Sequence, residues 1–196
     1  MATDLAPRRV FLFSGHMIDS PERPQPRFPV QEVHTAERAI ANTLDALGAA
    51  PGDLAICGGA CGGDLLFAQA ALERGLALEV RIPFEEPEFL AASVDFAGSD
   101  WRARYDDVKR HPATRLHVLP AELGPDPETD PYERQNCWLL DSALRFGPER
   151  LEFICLWDGG GGDGPGGTRH LVHEVERHRA RVHWLDTREL WSFRKP

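Results

Sequence analysis

The string Cys57-Gly58-Gly59-Ala60-Cys61-Gly62-Gly63-Asp64 follows the apolar run Leu54-Ala55-Ile56 and opens the helical pattern Leu65 to Leu72. A strand that ends in glycines and turns straight into a helix presents backbone N–H groups and the positive end of a helix dipole. Glycine also lets a bound group approach the backbone closely. Phosphate or another anion suits such a loop. A second cluster, Gly159 to Gly167, ends another apolar run and again precedes a helix, so the pair points to a nucleotide-like ligand. The candidate contacts are Ser14 and Gly15 at a third strand end, Gly58, Gly59, Gly62, Gly63 and Asp64, and Gly166, Gly167 and Thr168.

Side chains near these loops add chemistry. Arg134 is a candidate for phosphate or ribose, because a guanidinium grips phosphate through two parallel bonds; its alternative is a solvated place in the first turn of a helix. Asn136 reads either a base or hydroxyl, or caps local backbone. Thr168 is placed to cap the last long helix through its hydroxyl, a role compatible with holding phosphate. Asp64 either marks the ligand site or caps its helix and shapes the glycine loop. His16 is a donor to phosphate, an acid or base, or surface. Trp157 stacks on a base or packs. Cys61 is either a thiol lowered in pKa by a helix N-terminus or a small residue in a tight turn. His170, His173, Glu174 and His178 share helical spacing but lack the H-E-x-x-H order, so no metal is expected.

These residues need elements to hold them. Short apolar runs at Val10–Phe13, Asp53–Cys57, Leu76–Ile82, Arg115–Leu119, Leu151–Trp157 and Val182–Leu185 read as strands. Helical patterns fall at Gln31–Leu47, Asp64–Arg74, twice between Pro87 and Arg110 with a break at Gly98, at Tyr132–Arg145 and at Thr168–Arg179. Pro21 to Pro29 reads as a surface loop or lid, and Glu122 to Pro131 as an acidic, proline-rich loop. Alternating strands and helices imply one α/β domain, a Rossmann-like parallel sheet flanked by helices, with ligands outside the carboxyl ends of the strands.

Composition narrows the classes. A net charge of −9 over 196 residues disfavours nonspecific nucleic-acid binding. No run of about 18 apolar residues suggests a membrane span, and no leader pattern is seen. The four cysteines form no disulfide or metal pattern, so a cytoplasmic protein with reduced thiols is expected. The glycines match neither a P-loop nor the dinucleotide fingerprint, and no cofactor is expected.

Gly58-Gly59-Ala60-Cys61-Gly62-Gly63-Asp64, continued by Ala68, Ala71-Leu72 and Gly75, resembles the glycine-rich start of a helix in the LOG/DprA-like (SLOG) superfamily. Tyr132-Glu133-Arg134-Gln135-Asn136, the strand Leu151–Trp157 and Gly166-Gly167-Thr168 resemble the later layout of its phosphoribohydrolases. The resemblance implies a nucleotide-binding or sensing domain, with an N-glycosidase acting on nucleoside monophosphates as the alternative. It also implies a possible homodimer. In the enzymes a glutamate follows the motif threonine by three residues and works with the arginine; here that place is Leu171. A hydrolase of this kind would rely on Arg134 with Glu174, or with Asp158 or Asp163 as the carboxylate.

Overall fold

The computed structural model describes residues 6–120, 129–161 and 167–192. Six strands, β1 (Val10–Gly15), β2 (Leu54–Cys57), β3 (Ala77–Ile82), β4 (Thr114–Val118), β5 (Leu151–Trp157) and β6 (Arg181–Asp186), form one sheet in the order β4-β3-β2-β1-β5-β6. Every neighbouring pair is parallel. The helices among the described residues are α1 (Val33–Ala46), α2 (Gly63–Glu73), α3 (Glu86–Ser93), α4 (Ser99–Arg110), α5 (Pro131–Leu144), α6 (Thr168–Arg177) and α7 (Thr187–Ser192). The architecture is Rossmann-like α/β. No helix among the described residues is long and apolar enough to cross a membrane.

Burial on both faces explains why Val10–Phe13 of β1, all of β2 and Phe153–Trp157 of β5 read as continuous apolar runs rather than alternating ones. Phe11, Phe13, Ala55, Cys57, Val80, Ile154 and Leu156 point into one core layer with α1, α2 and α4. Val10, Leu12, Ile56, Phe153 and Cys155 point into the other, with Leu139, Leu140 and Ala143 of α5 and Leu171 and Val175 of α6. Helix α1 is amphipathic, burying Ala36, Ile40 and Leu44. Helix α2 lies between α1, α4 and the sheet and is buried almost all round, which accounts for its alanine-rich, apolar sequence.

Connections set the position of the site. From β1 the chain builds β2, β3 and β4 in one direction. It then returns through α5 across the opposite face and places β5 on the other side of β1. The strand order therefore reverses between β1 and β5.

The helix expected to end at Gly75 does so, with φ +75° at that glycine, and Gly98 at φ +105° separates α4 from the turn before it. Helix α7 was not visible in the sequence: six residues are too short for a periodic signal. The Pro21–Pro29 stretch is irregular backbone followed by a 3-10 turn at Val30–Glu32. Most of the acidic loop expected at 122–131 lies outside the described residues; its end, Asp130, is the N-cap of α5.

One backbone feature is exacting. Gly62, at φ +96°, precedes α2, and a Cβ there would lie 2.8 Å from both the His16 carbonyl oxygen and the Ile18 nitrogen. Gly48 is also left-handed, at φ +66°, but a Cβ there meets nothing within 4 Å. Gly48→Ala should cost roughly 1–2 kcal/mol from the backbone conformation alone. Gly62→Ala adds a backbone clash and should cost about 3 kcal/mol or more. Urea unfolding of the two variants compares them directly; an equal loss in both would refute the close approach at Gly62.

Candidate functional site

The carboxyl ends of β1 and β5 are joined by a network rather than by simple adjacency. The His16 N–H donates to the Leu156 carbonyl at 3.0 Å. Beyond the strand ends, the Asp158 N–H donates to His16 Nε2 at 3.1 Å, and Asp158 Oδ1 accepts the Gly160 N–H at 2.8 Å. Trp157 Nε1 donates to the Gly160 carbonyl at 3.1 Å. His16 is only 8% exposed, and burial is the main cause that lowers its pKa, with the charge of Arg27 adding to it and Asp158 opposing it. The same Nε2 lies 3.3 Å from Asp158 Oδ1, so both the backbone and the side chain of Asp158 face this ring nitrogen.

A cleft of about 380 Å³ opens beside this junction. Its floor is Ser14, Gly15 and His16 from the end of β1 and Trp157 from the end of β5. Gly167 and Thr168 at the start of α6 form one wall, and Asp130, Tyr132, Gln135 and Asn136 at the start of α5 form another. Ala60, Asp64, Phe89, Met17 and Arg27 complete the lining.

The two helix starts that face the cleft differ. Asp130 caps α5, its Oδ1 accepting the N–H groups of Tyr132 at 2.8 Å and Glu133 at 3.2 Å, and Pro131 occupies the first helical position. Helix α6 has Gly167 at its N-cap position, and no described side chain caps it. Thr168 therefore does not cap as the sequence suggested: it lies one residue inside the helix, and its hydroxyl pairs with Ser14 Oγ at 3.1 Å. The positive end of α6 and two hydroxyls meet at one corner of the cleft.

The first glycine loop behaves differently from its sequence reading. Its amides are directed at protein acceptors. The Ala60 N–H reaches Asp64 Oδ2 at 3.3 Å, and the Gly58 and Gly59 amides also hydrogen-bond that carboxyl. The Cys61 N–H donates to the Ser93 carbonyl at 2.8 Å and the Gly63 N–H to the His16 carbonyl at 3.0 Å. Gly58, Gly59, Gly62 and Gly63 do not line the cleft, whereas Ala60 and Asp64 do. Glycine is required here for packing: a Cβ on Gly59 would sit 2.6 Å from Val80 Cγ1, and one on Gly58 would sit 2.8 Å from Asp64 Oδ2. Asp64 does not cap α2; it reaches back to order the loop. Burial pushes its carboxyl up to about 7, against the pull of the three backbone amides.

Of the other expected contacts, Ser14, Gly15, Asn136, Gly167 and Thr168 line the cleft, and Gly166 lies outside the described residues. Arg134 is half-buried on α5 and is not part of the lining. Glu174 faces a separate groove of about 310 Å³ between α5 and α6, with Glu133, Cys137, His170 and His178, and pairs with Arg177 at 2.9 Å. Leu171, at the place of the enzymes' glutamate, is 1% exposed in the core. Asp158 is engaged with His16 and Gly160, and Asp163 lies outside the described residues. Among the described residues, no group of three His, Cys, Asp or Glu is arranged to hold a metal ion.

Cys61 is buried, and burial pushes its thiol up to about 12, the opposite of an activated helix-end thiol. Cys57 is raised by burial too, and Cys155 is pushed up to about 12.

Sequence reasoning missed Arg27, Tyr132, Gln135 and Phe89. Gln135 is fixed by donating Nε2 to the Arg81 carbonyl at 2.6 Å, and Tyr132 by a hydroxyl pair with Ser93 at 2.9 Å. Asp130 had a sequence signal, since Asp-Pro-x-Glu marks a capped helix start.

No family model and no curated protein matches the chain. Among solved structures, the chain is similar to the X-ray structure of TM1055, a Northeast Structural Genomics Consortium target. The likeness has 15% identity over 94% of this chain and 97% of that chain, with a TM-score of 0.41. The strand order and the parallel pairing of this chain are what define its fold.

Asp64 gives the site a pH signature. Its folded pKa is raised from 3.8 to about 7, so its contribution to stability is fully present below 3.8 and is lost as pH rises to about 7. His16, with a lowered folded pKa, acts in the opposite sense: its contribution is present above 6.5 and is lost as pH falls. Asp64→Asn isolates the first effect. The melting temperature of the variant relative to wild type should rise from pH 5 to pH 8 by several degrees. A difference that stays flat across that range would mean that Asp64 is ionised throughout.

Proposed function

We propose that this chain is a binding or sensing module of the LOG/DprA-like type for a nucleotide or nucleotide derivative, which lies in the cleft between β1 and β5. The observation that carries this reading is the coincidence of the cleft with the reversal of strand order. Open parallel sheets bind ligands outside the carboxyl ends at such a reversal, because the helices on either side leave on opposite faces and do not cover the gap.

The lining suits the two parts of a nucleotide. Ser14, Thr168 and the start of α6, which no described side chain caps, offer donors for phosphate at one corner. Trp157, Tyr132 and Phe89 offer apolar and aromatic surface for a base. A volume of about 380 Å³ lies in the range of small-molecule sites.

Binding is favoured over hydrolysis by where the carboxyl groups point. Glu174 faces the other groove, and the two carboxyls of the cleft, Asp64 and Asp130, both accept backbone amide hydrogen bonds. Among the described residues, no further carboxylate of the lining is left to serve the sugar in the N-glycosidase reading.

A thermal-shift panel of nucleoside monophosphates, dinucleotides and cyclic nucleotides tests the reading, run on wild type and Gly167→Trp. Gly167 has φ −76°, so the backbone admits tryptophan and the substitution acts by filling the cleft. A bound nucleotide at a hundredfold excess over its Kd should raise the melting temperature by about 5–10 °C. That rise should vanish in the variant. A flat panel, or a shift the variant retains, contradicts this reading, and release of free base from a monophosphate would establish the hydrolase instead.

A further inference from the structure

We propose that Arg27 is the anion-gripping side chain of the β1–β5 cleft, presented by a strap of residues 19–28 that closes on itself and is pinned to α7. The proposal rests on the reading of the cleft as a nucleotide site and names a binding residue for it.

The strap is a built element, although its three prolines, Pro21, Pro24 and Pro26, keep it out of any helix or strand. Asp19 closes its neck. The Asp19 N–H donates to the Phe28 carbonyl at 3.0 Å, and Asp19 Oδ2 accepts the N–H groups of both Arg27 and Phe28 at 2.8 Å. Asp19 Oδ1 pairs with Arg23 Nε at 3.1 Å across the loop. The far side is pinned by Trp191, whose Nε1 donates to the Arg27 carbonyl at 2.9 Å. Phe28 is fully buried and stacks on the same indole at 5.5 Å.

Both backbone polar groups of Arg27 are thereby fixed by side chains distant in sequence, and its own side chain lines the cleft. Among the described lining residues Arg27 is the sole arginine or lysine. Burial lowers the pKa of the nearby His16, and the charge of Arg27 acts in the same direction. A guanidinium delivered from an ordered backbone loses less freedom on gripping a phosphate than one on a loose loop.

Calorimetric titration with AMP and with inorganic pyrophosphate at low and moderate salt, on wild type, Arg27→Gln, Arg27→Lys and Asp19→Asn, tests this. Wild type should bind. Arg27→Gln should weaken binding on the order of tenfold to a hundredfold, with a shallower salt dependence. Arg27→Lys should restore the salt dependence but only part of the affinity, since an ammonium lacks the planar fork. Asp19→Asn should weaken binding while leaving Arg27 in the chain. If wild type binds AMP and Arg27→Gln matches it in affinity and salt dependence, the role of Arg27 is refuted and the nucleotide reading stands. If wild type binds neither AMP nor pyrophosphate, both fall.

Discussion

Between β1 and β5 the connections of this chain leave the sheet on opposite faces, and among the described residues a cleft opens beside Gly15 and its partner Leu156. The loops that end these two strands must therefore wall a crevice. They are held in place by His16, whose buried ring meets the Asp158 amide through Nε2. Every residue assigned to the site is positioned relative to this junction. The start of α6 reaches it through Thr168 and Ser14, and the start of α5 arrives by the long return across the sheet.

The buried carboxyl of Asp64 plays a different part from the phosphate cradle suggested by the glycines around it. Three amides of the β2–α2 loop converge on this one side chain, so the loop is ordered without a ligand. Its glycines permit close approach to Val80, to the backbone of His16 and Ile18, and to the Asp64 carboxyl itself. The loop contributes a wall, through Ala60 and Asp64, to a cleft whose polar corner lies at β1 and α6.

Fold was legible because buried strands and helix stops leave local signatures. The continuous apolar runs at Val10–Phe13 and Phe153–Trp157 and the glycine at 75 mark elements regardless of what packs on them. The cleft lining was legible where strand ends and helix starts marked it, as at Ser14 and Gly15 of β1, Asn136 of α5 and Gly167 and Thr168 at α6. Which loop amides face a ligand is decided by tertiary acceptors such as the carbonyls of Ser93 and His16, which no local pattern reveals. Arg27 was invisible for the same reason: the stretch around it reads as surface loop, and its order comes from Asp19 and from Trp191, far along the chain. Glu174 and Arg134 had suggestive spacing, yet the turn of α6 carries Glu174 to the groove against α5 and the first turn of α5 leaves Arg134 out of the cleft lining.

The central claim is that the ligand occupies the β1–β5 crevice and not the glycine loop after β2. Backbone amide NMR during titration with a nucleoside monophosphate separates the two. A ligand in the crevice should give the largest shift changes at Ser14 to Met17 and at Gly167 to His170, with small ones at Gly58 to Gly63. Dominant changes in the Gly58–Gly63 amides, with those of β1 and α6 unmoved, would place the anion on the glycine loop and contradict it.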